Sequence, residues 1–95
     1  MGALSLNDQS AIVVSAEQVS CDLAGEAAIL NLKDGVYYGL DPVGARIWKL
    51  IQQPRTFGEI RDTLLAEYEV DASSLELDMR DLLDQLAEHQ LIEIS

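Results

Sequence analysis

Positive charge is what this chain has least of. Six Lys and Arg stand against 17 Asp and Glu in 95 residues, a formal net charge of −11 with the single histidine neutral. Nucleic-acid binding rests on clustered cations that displace phosphate counterions, so DNA and RNA are poor partners for this sequence, and an anionic membrane surface repels it equally. One cysteine, Cys21, excludes an internal disulfide, and with His89 as the only imidazole there is no Cys and His set for a zinc site. The longest apolar runs are about four residues, far short of a membrane span. Residues 1–10 have neither the basic start nor the apolar stretch of a secretory signal, so the cytoplasm is the expected location.

What is present is enough for one small domain. Hydrophobic residues make up 48% of the chain and mean hydropathy is +0.07, too apolar for a disordered acidic tail, while the length leaves no room for a second core. The acid is concentrated: residues 1–58 hold 6 acids and 4 bases, residues 59–95 hold 11 and 2, so −9 of the charge lies in the second segment.

Period-two patterning occupies residues 11–40. Val19, Cys21 and Leu23 alternate with polar neighbours, Gly25 interrupts, and Ala28, Leu30 and Leu32 alternate again before Lys33, Asp34 and Gly35. Either a two-residue Asp34-Gly35 loop or a three-residue loop from Lys33 to Gly35 fits the next turn. The shorter one would place Asn31 and Lys33 on the face of Val36, Tyr38 and Leu40, so alternation favours the longer, which places Leu30 and Leu32 there. The expectation is a three-stranded antiparallel meander with Val36, Tyr38 and Leu40 facing the core, Tyr37 and Gly39 facing away, and Cys21 a small core residue.

From Asp41 the period is helical. Asp41 caps and Pro42 opens a helix bearing Val43, Ile47, Trp48, Leu50 and Ile51, which Pro54 stops. Thr56 and Glu59 form a capping-box pattern before Phe57, Ile60, Leu64 and Tyr68, and Ser73 and Glu76 repeat that spacing before a stripe of Leu75, Met79, Leu82, Leu83 and Leu86. Leu91 to Ile94 reads as a short last strand or extended tail. The fold class expected is α+β, a winged helix-turn-helix in which a three-stranded antiparallel N-terminal sheet precedes three α-helices. Residues 1–15 form an N-terminal arm or extend the first strand, and residues 16–95 form the domain.

No catalytic constellation is visible. Cys21 has no neighbouring base in sequence, His89 falls near the end of the third helix where it suits the helix dipole, and no cofactor or metal motif occurs. The third helix carries Glu76, Asp78, Asp81, Asp84 and Glu88 against Arg80 alone, the wrong sign for a DNA-reading helix. Ser74 to Met79 faintly resembles the serine motif of carrier proteins. It lacks that motif's aspartate, and too little chain follows, so Ser73 and Ser74 read as helix caps. The remaining feature is the third strand, whose run Val36-Tyr37-Tyr38-Gly39-Leu40 contains no Lys, Glu or Pro to discourage pairing. An extended peptide could add there, with alternate side chains pointing toward the third helix, where Leu75, Met79 and Leu82 are candidate walls. The same stripe would be needed simply to pack the sheet.

The run from Ala28 to Trp48, Ala-Ile-Leu-Asn-Leu-Lys-Asp-Gly-Val-Tyr-Tyr-Gly-Leu-Asp-Pro-Val-Gly-Ala-Arg-Ile-Trp, resembles the PqqD-like family, the peptide recognition elements of ribosomal peptide natural-product pathways. The likeness spans residues 16–94 and is strongest to the stand-alone proteins of lasso-peptide clusters, the detached N-terminal half of a leader peptidase system. The resemblance implies a non-catalytic, cofactor-free protein that binds a precursor's leader peptide as a strand beside Val36, Tyr37, Tyr38, Gly39 and Leu40, facing Leu75, Asp78, Met79 and Leu82. It implies leader anchors of Tyr, Pro and Leu type, a separate transglutaminase-like cysteine protease that makes the cut, and an asparagine-synthetase-like cyclase as a further partner. An acidic winged-helix regulator acting through protein contacts is the alternative reading.

Overall fold

The computed structural model describes residues 6–95, apart from the side chain of Leu23. Nine elements follow in order: β1 (Ala11–Val14), β2 (Gln18–Leu23), β3 (Glu26–Asn31), β4 (Tyr37–Leu40), α1 (Pro42–Leu50), β5 (Arg55–Thr56), α2 (Phe57–Glu67), α3 (Ala72–Glu88) and β6 (Ile92–Ile94). The expected meander is present as an antiparallel sheet ordered β2-β3-β4 and followed by the three helices. A second small sheet, ordered β5-β1-β6, ties the two ends of the described chain together.

The β2–β3 turn is the two-residue Ala24-Gly25, both at positive φ (52° and 91°), the twist that a tight hairpin needs. The β3–β4 turn departs from both loops read from the sequence. Leu30 pairs with Tyr37 and Ile29 with Tyr38, and the Asn31 amide donates to the Val36 carbonyl (3.0 Å), leaving a four-residue loop, 32–35, with Gly35 at φ 71°. Opposed residues share a face, so Ala27, Ile29 and Asn31, not Leu30 and Leu32, join Tyr38 and Leu40 on the side of the helices. The physical reason is Asn31. Its Nδ2 donates to the His89 carbonyl (2.8 Å) and its Oδ1 accepts the Lys33 amide (2.8 Å), so a polar side chain 4% exposed is satisfied where alternation would have excluded it.

Register then carries the other corrections. Val19 and Cys21 oppose Leu30 and Ala28 on the outer face, so Cys21 is exposed rather than a core residue. Val36 precedes β4 and is 46% exposed, not core-facing. Ahead of β2, Ile12 is fully buried, Leu6 lies in the same core, and β1 pairs with β5 and β6. Residues 1–5 of the expected arm lie outside the described residues.

The helices begin for local reasons. Asp41 accepts the Gly44 amide at the start of α1, with Pro42 in its first turn, and Thr56 and Glu59 form the reciprocal capping box of α2. For α3 the cap is Asp71, which accepts the Ser74 amide; Ser73 and Ser74 sit inside the first turn and do not cap it. Burial of Ile47, Trp48, Phe57, Ile60, Leu64, Leu75, Met79, Leu83 and Leu86 packs all three helices against Ile29 and Leu40 of the sheet.

Candidate functional site

Strand β4 is one edge of its sheet, bonded to β3 on one side only. Bonding directions alternate along an antiparallel strand. Since the Val36 carbonyl points to β3, so do the main-chain groups of Tyr38 and Leu40, while those of Tyr37 and Gly39 point away from the sheet. Side chains obey the opposite split: Tyr38 and Leu40 face inward, and Tyr37 is outward and 70% exposed. Nothing lies within 4 Å of where a Cβ would stand on Gly39, so the outer face is open there.

Beneath that edge lies a cleft of about 550 Å³. Of the residues expected from the sequence, Gly39, Leu40, Leu75, Asp78, Met79 and Leu82 line it together. Leu40, Leu75 and Met79 are buried and form its floor, Leu82 is half-buried, and Asp78 is exposed at the rim. Val36, Tyr37 and Tyr38 do not line it. Val36 offers no free main-chain group either, since its amide donates to Asp34 Oδ1 (2.9 Å) and its carbonyl is held by Asn31.

Sequence reasoning missed the wall supplied by α1: Asp41, Val43, Gly44 and Ile47 also line the cleft. Val43 and Ile47 are one turn apart and follow directly on β4, the signal that could have placed them there. Gly44 lets this wall approach, because a Cβ would meet Leu40 Cβ at 3.3 Å and Asp41 Oδ1 at 3.2 Å. Among the described residues, Asp41 and Asp78 are the charged ones lining the cleft, so its field favours a cationic ligand.

Tyr38 reaches past the cleft to the end of α3. Its hydroxyl shares a 3.1 Å hydrogen bond with His89 Nδ1, and the rings lie 4.6 Å apart. Burial raises the Tyr38 pKa above its ordinary value, and the Asp34 carboxylate adds to the rise, so the phenol stays neutral. The Asn31 bond to the His89 carbonyl and a bond from Lys33 Nζ to Gln90 Oε1 (3.3 Å) also join the β3–β4 hairpin to the C-terminal end of α3.

Among the described residues no group of His, Cys, Asp and Glu could hold a metal, and no helix is long and apolar enough to cross a membrane. Arg80, the one base on α3, is turned inward, donating to the Leu6 carbonyl (2.9 Å) and lying 5.0 Å from the Phe57 ring.

Residues 26–92 match the family described as coenzyme PQQ synthesis protein D (PqqD). This chain belongs to the PqqD family. Two solved structures superpose on it. "TbiB1 in Complex with the TbiA(beta) Leader Peptide" is 42% identical, with a TM-score of 0.80 over 85% of this chain and 94% of that one. "Lasso peptide synthetase B1 complexed with the leader peptide" is 21% identical, with a TM-score of 0.76 over 86% and 96%, a likeness of fold. No curated protein sequence matches the chain. The family expected from residues 28–48 is therefore the observed one, and the winged helix-turn-helix architecture agrees with it.

Proposed function

We propose that this PqqD-family chain is a non-catalytic recognition element that captures the leader segment of a ribosomally made precursor peptide, of the lasso class, and presents it to a separate cysteine protease. The leader adds as a fourth strand to β4. Its main chain pairs with Tyr37 and Gly39, and its side chains opposite Tyr38 and Leu40 point inward, so anchors two residues apart enter the cleft. Leu75, Met79 and Leu82 receive them, with Val43 and Ile47 on the other wall.

The observation that carries this reading is the coincidence of an unpaired strand edge with a cleft floored by apolar side chains immediately beneath it. The 42% identity to a chain solved with a leader peptide supports it. Each inward anchor of Leu or Tyr size contributes roughly 1.5–3 kcal/mol on burial, which offsets the cost of ordering a flexible leader.

Titrating the leader segment of a cognate lasso-class precursor into the isotope-labelled chain tests the proposal. The amides of Tyr37 and Gly39 and those of α3 between Leu75 and Leu82 should shift together. Shifts confined to other surfaces would remove the site, and absence of binding would remove the function.

A further inference from the structure

The sheet has a second open edge, and it too has a cleft beneath it. Strand β2 is bonded only to β3. The Leu32 amide donates to the Glu17 carbonyl (3.1 Å), so by alternation Val19 and Cys21 bond inward to β3, and the main-chain groups of Gln18, Ser20 and Asp22 point away from the sheet. The side chains of Ser20 and Asp22 line a cleft of about 510 Å³ between β2 and α1, whose far wall includes Arg46, Trp48 and Lys49.

Two donors in that wall lack acceptors. Trp48 is 4% exposed, and its indole N–H has no hydrogen-bond partner. Lys49 is exposed and, among the described residues, its ammonium has neither an acidic partner nor a hydrogen bond, in a chain where acids outnumber bases almost three to one. Arg46 beside them is already neutralised by two bonds to Glu67 (2.9 and 2.6 Å). Lys49 is therefore the cation of this wall left for an anionic ligand.

We infer that the β2 edge and its cleft form a second strand-accepting site, for an extended segment of another protein that carries an inward-pointing carboxylate side chain. The main chain of the segment pairs with Ser20, and the carboxylate reaches toward Lys49. Asp22 at the end of the strand repels a carboxylate placed opposite itself, so the acidic residue belongs opposite Ser20. A second copy of this chain is a poor occupant, since each copy carries −11. The two edges lie on opposite sides of the sheet, so this segment and a leader on β4 bind together without competing.

Two acetylated and amidated hexapeptides of alternating Thr and Val, one with Glu and one with Lys at the third position, are the probes, titrated into the isotope-labelled full chain. The Glu peptide should shift the amides of Gln18, Ser20 and Asp22 and the Trp48 indole resonance. It should bind about five-fold tighter than the Lys peptide, and Lys49→Glu should reverse that order. The Gly39→Pro variant, blocked at β4, should bind it unchanged. Equal affinities for the two peptides, or no shift along β2, would overturn the inference. Shifts at Tyr37 and Gly39 instead would overturn it while leaving the β4 reading intact, and self-association through β2 would replace the foreign segment with a second copy.

Discussion

Asn31 decides which face of β3 is the core. By pattern it is a polar residue between Leu30 and Leu32, yet it is 4% exposed and its amide group joins the hairpin to the end of α3. Asn31→Ala leaves the His89 carbonyl and the Lys33 amide without their partner, and should cost about 1–3 kcal/mol, read as a lowered urea midpoint with unchanged m-value. Asp78 is different in kind. Exposed at the rim of the β4 cleft and, among the described residues, without an ion pair, it acts on the ligand and not on the fold in the proposed binding mode. Asp78→Lys should leave thermal stability nearly unchanged and weaken binding of a leader carrying Lys or Arg, with the loss shrinking as salt rises. A loss independent of salt would show that Asp78 contributes by shape and not by charge.

At the scale of elements, the alternation of bonding along β4 makes two neighbouring substitutions opposite in effect. Gly39→Pro removes an N–H that points away from β3 and adds atoms into open space, so the sheet should tolerate it while leader affinity falls at least about ten-fold. Tyr38→Pro removes an N–H bonded to β3 and should unfold the hairpin, visible as lost strand signal in circular dichroism. Caps behave similarly. Thr56 satisfies the Glu59 amide and Glu59 the Thr56 amide, so Thr56→Ala should cost about 1 kcal/mol in chemical denaturation, and Ser73→Ala close to nothing because Asp71 holds the α3 cap. The α3 cap shows why one serine was misread. Asp71 and Ser73 are both good capping residues two positions apart, and capping propensity alone does not choose between them; Asp71 holds the cap because the chain entering α3 aims its carboxylate at the Ser74 amide.

For the whole molecule, the −11 charge is organised by a few cations. Arg61 holds Asp8 (2.7 Å) and reaches Asp62 and Glu76, tying the N-terminal segment to α2 and α3, while Arg46 on α1 holds Glu67 at the end of α2. Arg61 lowers the pKa of Asp8, and Arg46 lowers that of Glu67. A carboxyl whose pKa is depressed by folding contributes stability above its ordinary value near 4, and loses it as the pH falls through the lower folded value. The melting-temperature difference between the native chain and Glu67→Gln should therefore be constant from pH 7 to 5 and close below about pH 4, read by calorimetry. A difference that persists in acid would mean Glu67 contributes through packing.

The sequence by itself determined the three-stranded meander, the three helices, their order and the family. Capping residues, Gly25 and Gly35, and helical stripes are local signals, and the run from Ala28 to Trp48 is specific because hairpin and helix are read from one continuous segment. It also placed five residues of the β4 cleft, because an edge strand and an apolar stripe are both periodic, and the family resemblance added Asp78. Only the tertiary structure decided the β3–β4 register, the exposure of Cys21, the inclusion of β1 in the core and the wall built by α1. Those depend on partners far along the chain: Asn31 with His89, β1 with β5 and β6, Arg80 with Leu6. Periodicity tells which residues share a face, but which face is buried is set by whatever the rest of the chain brings against it.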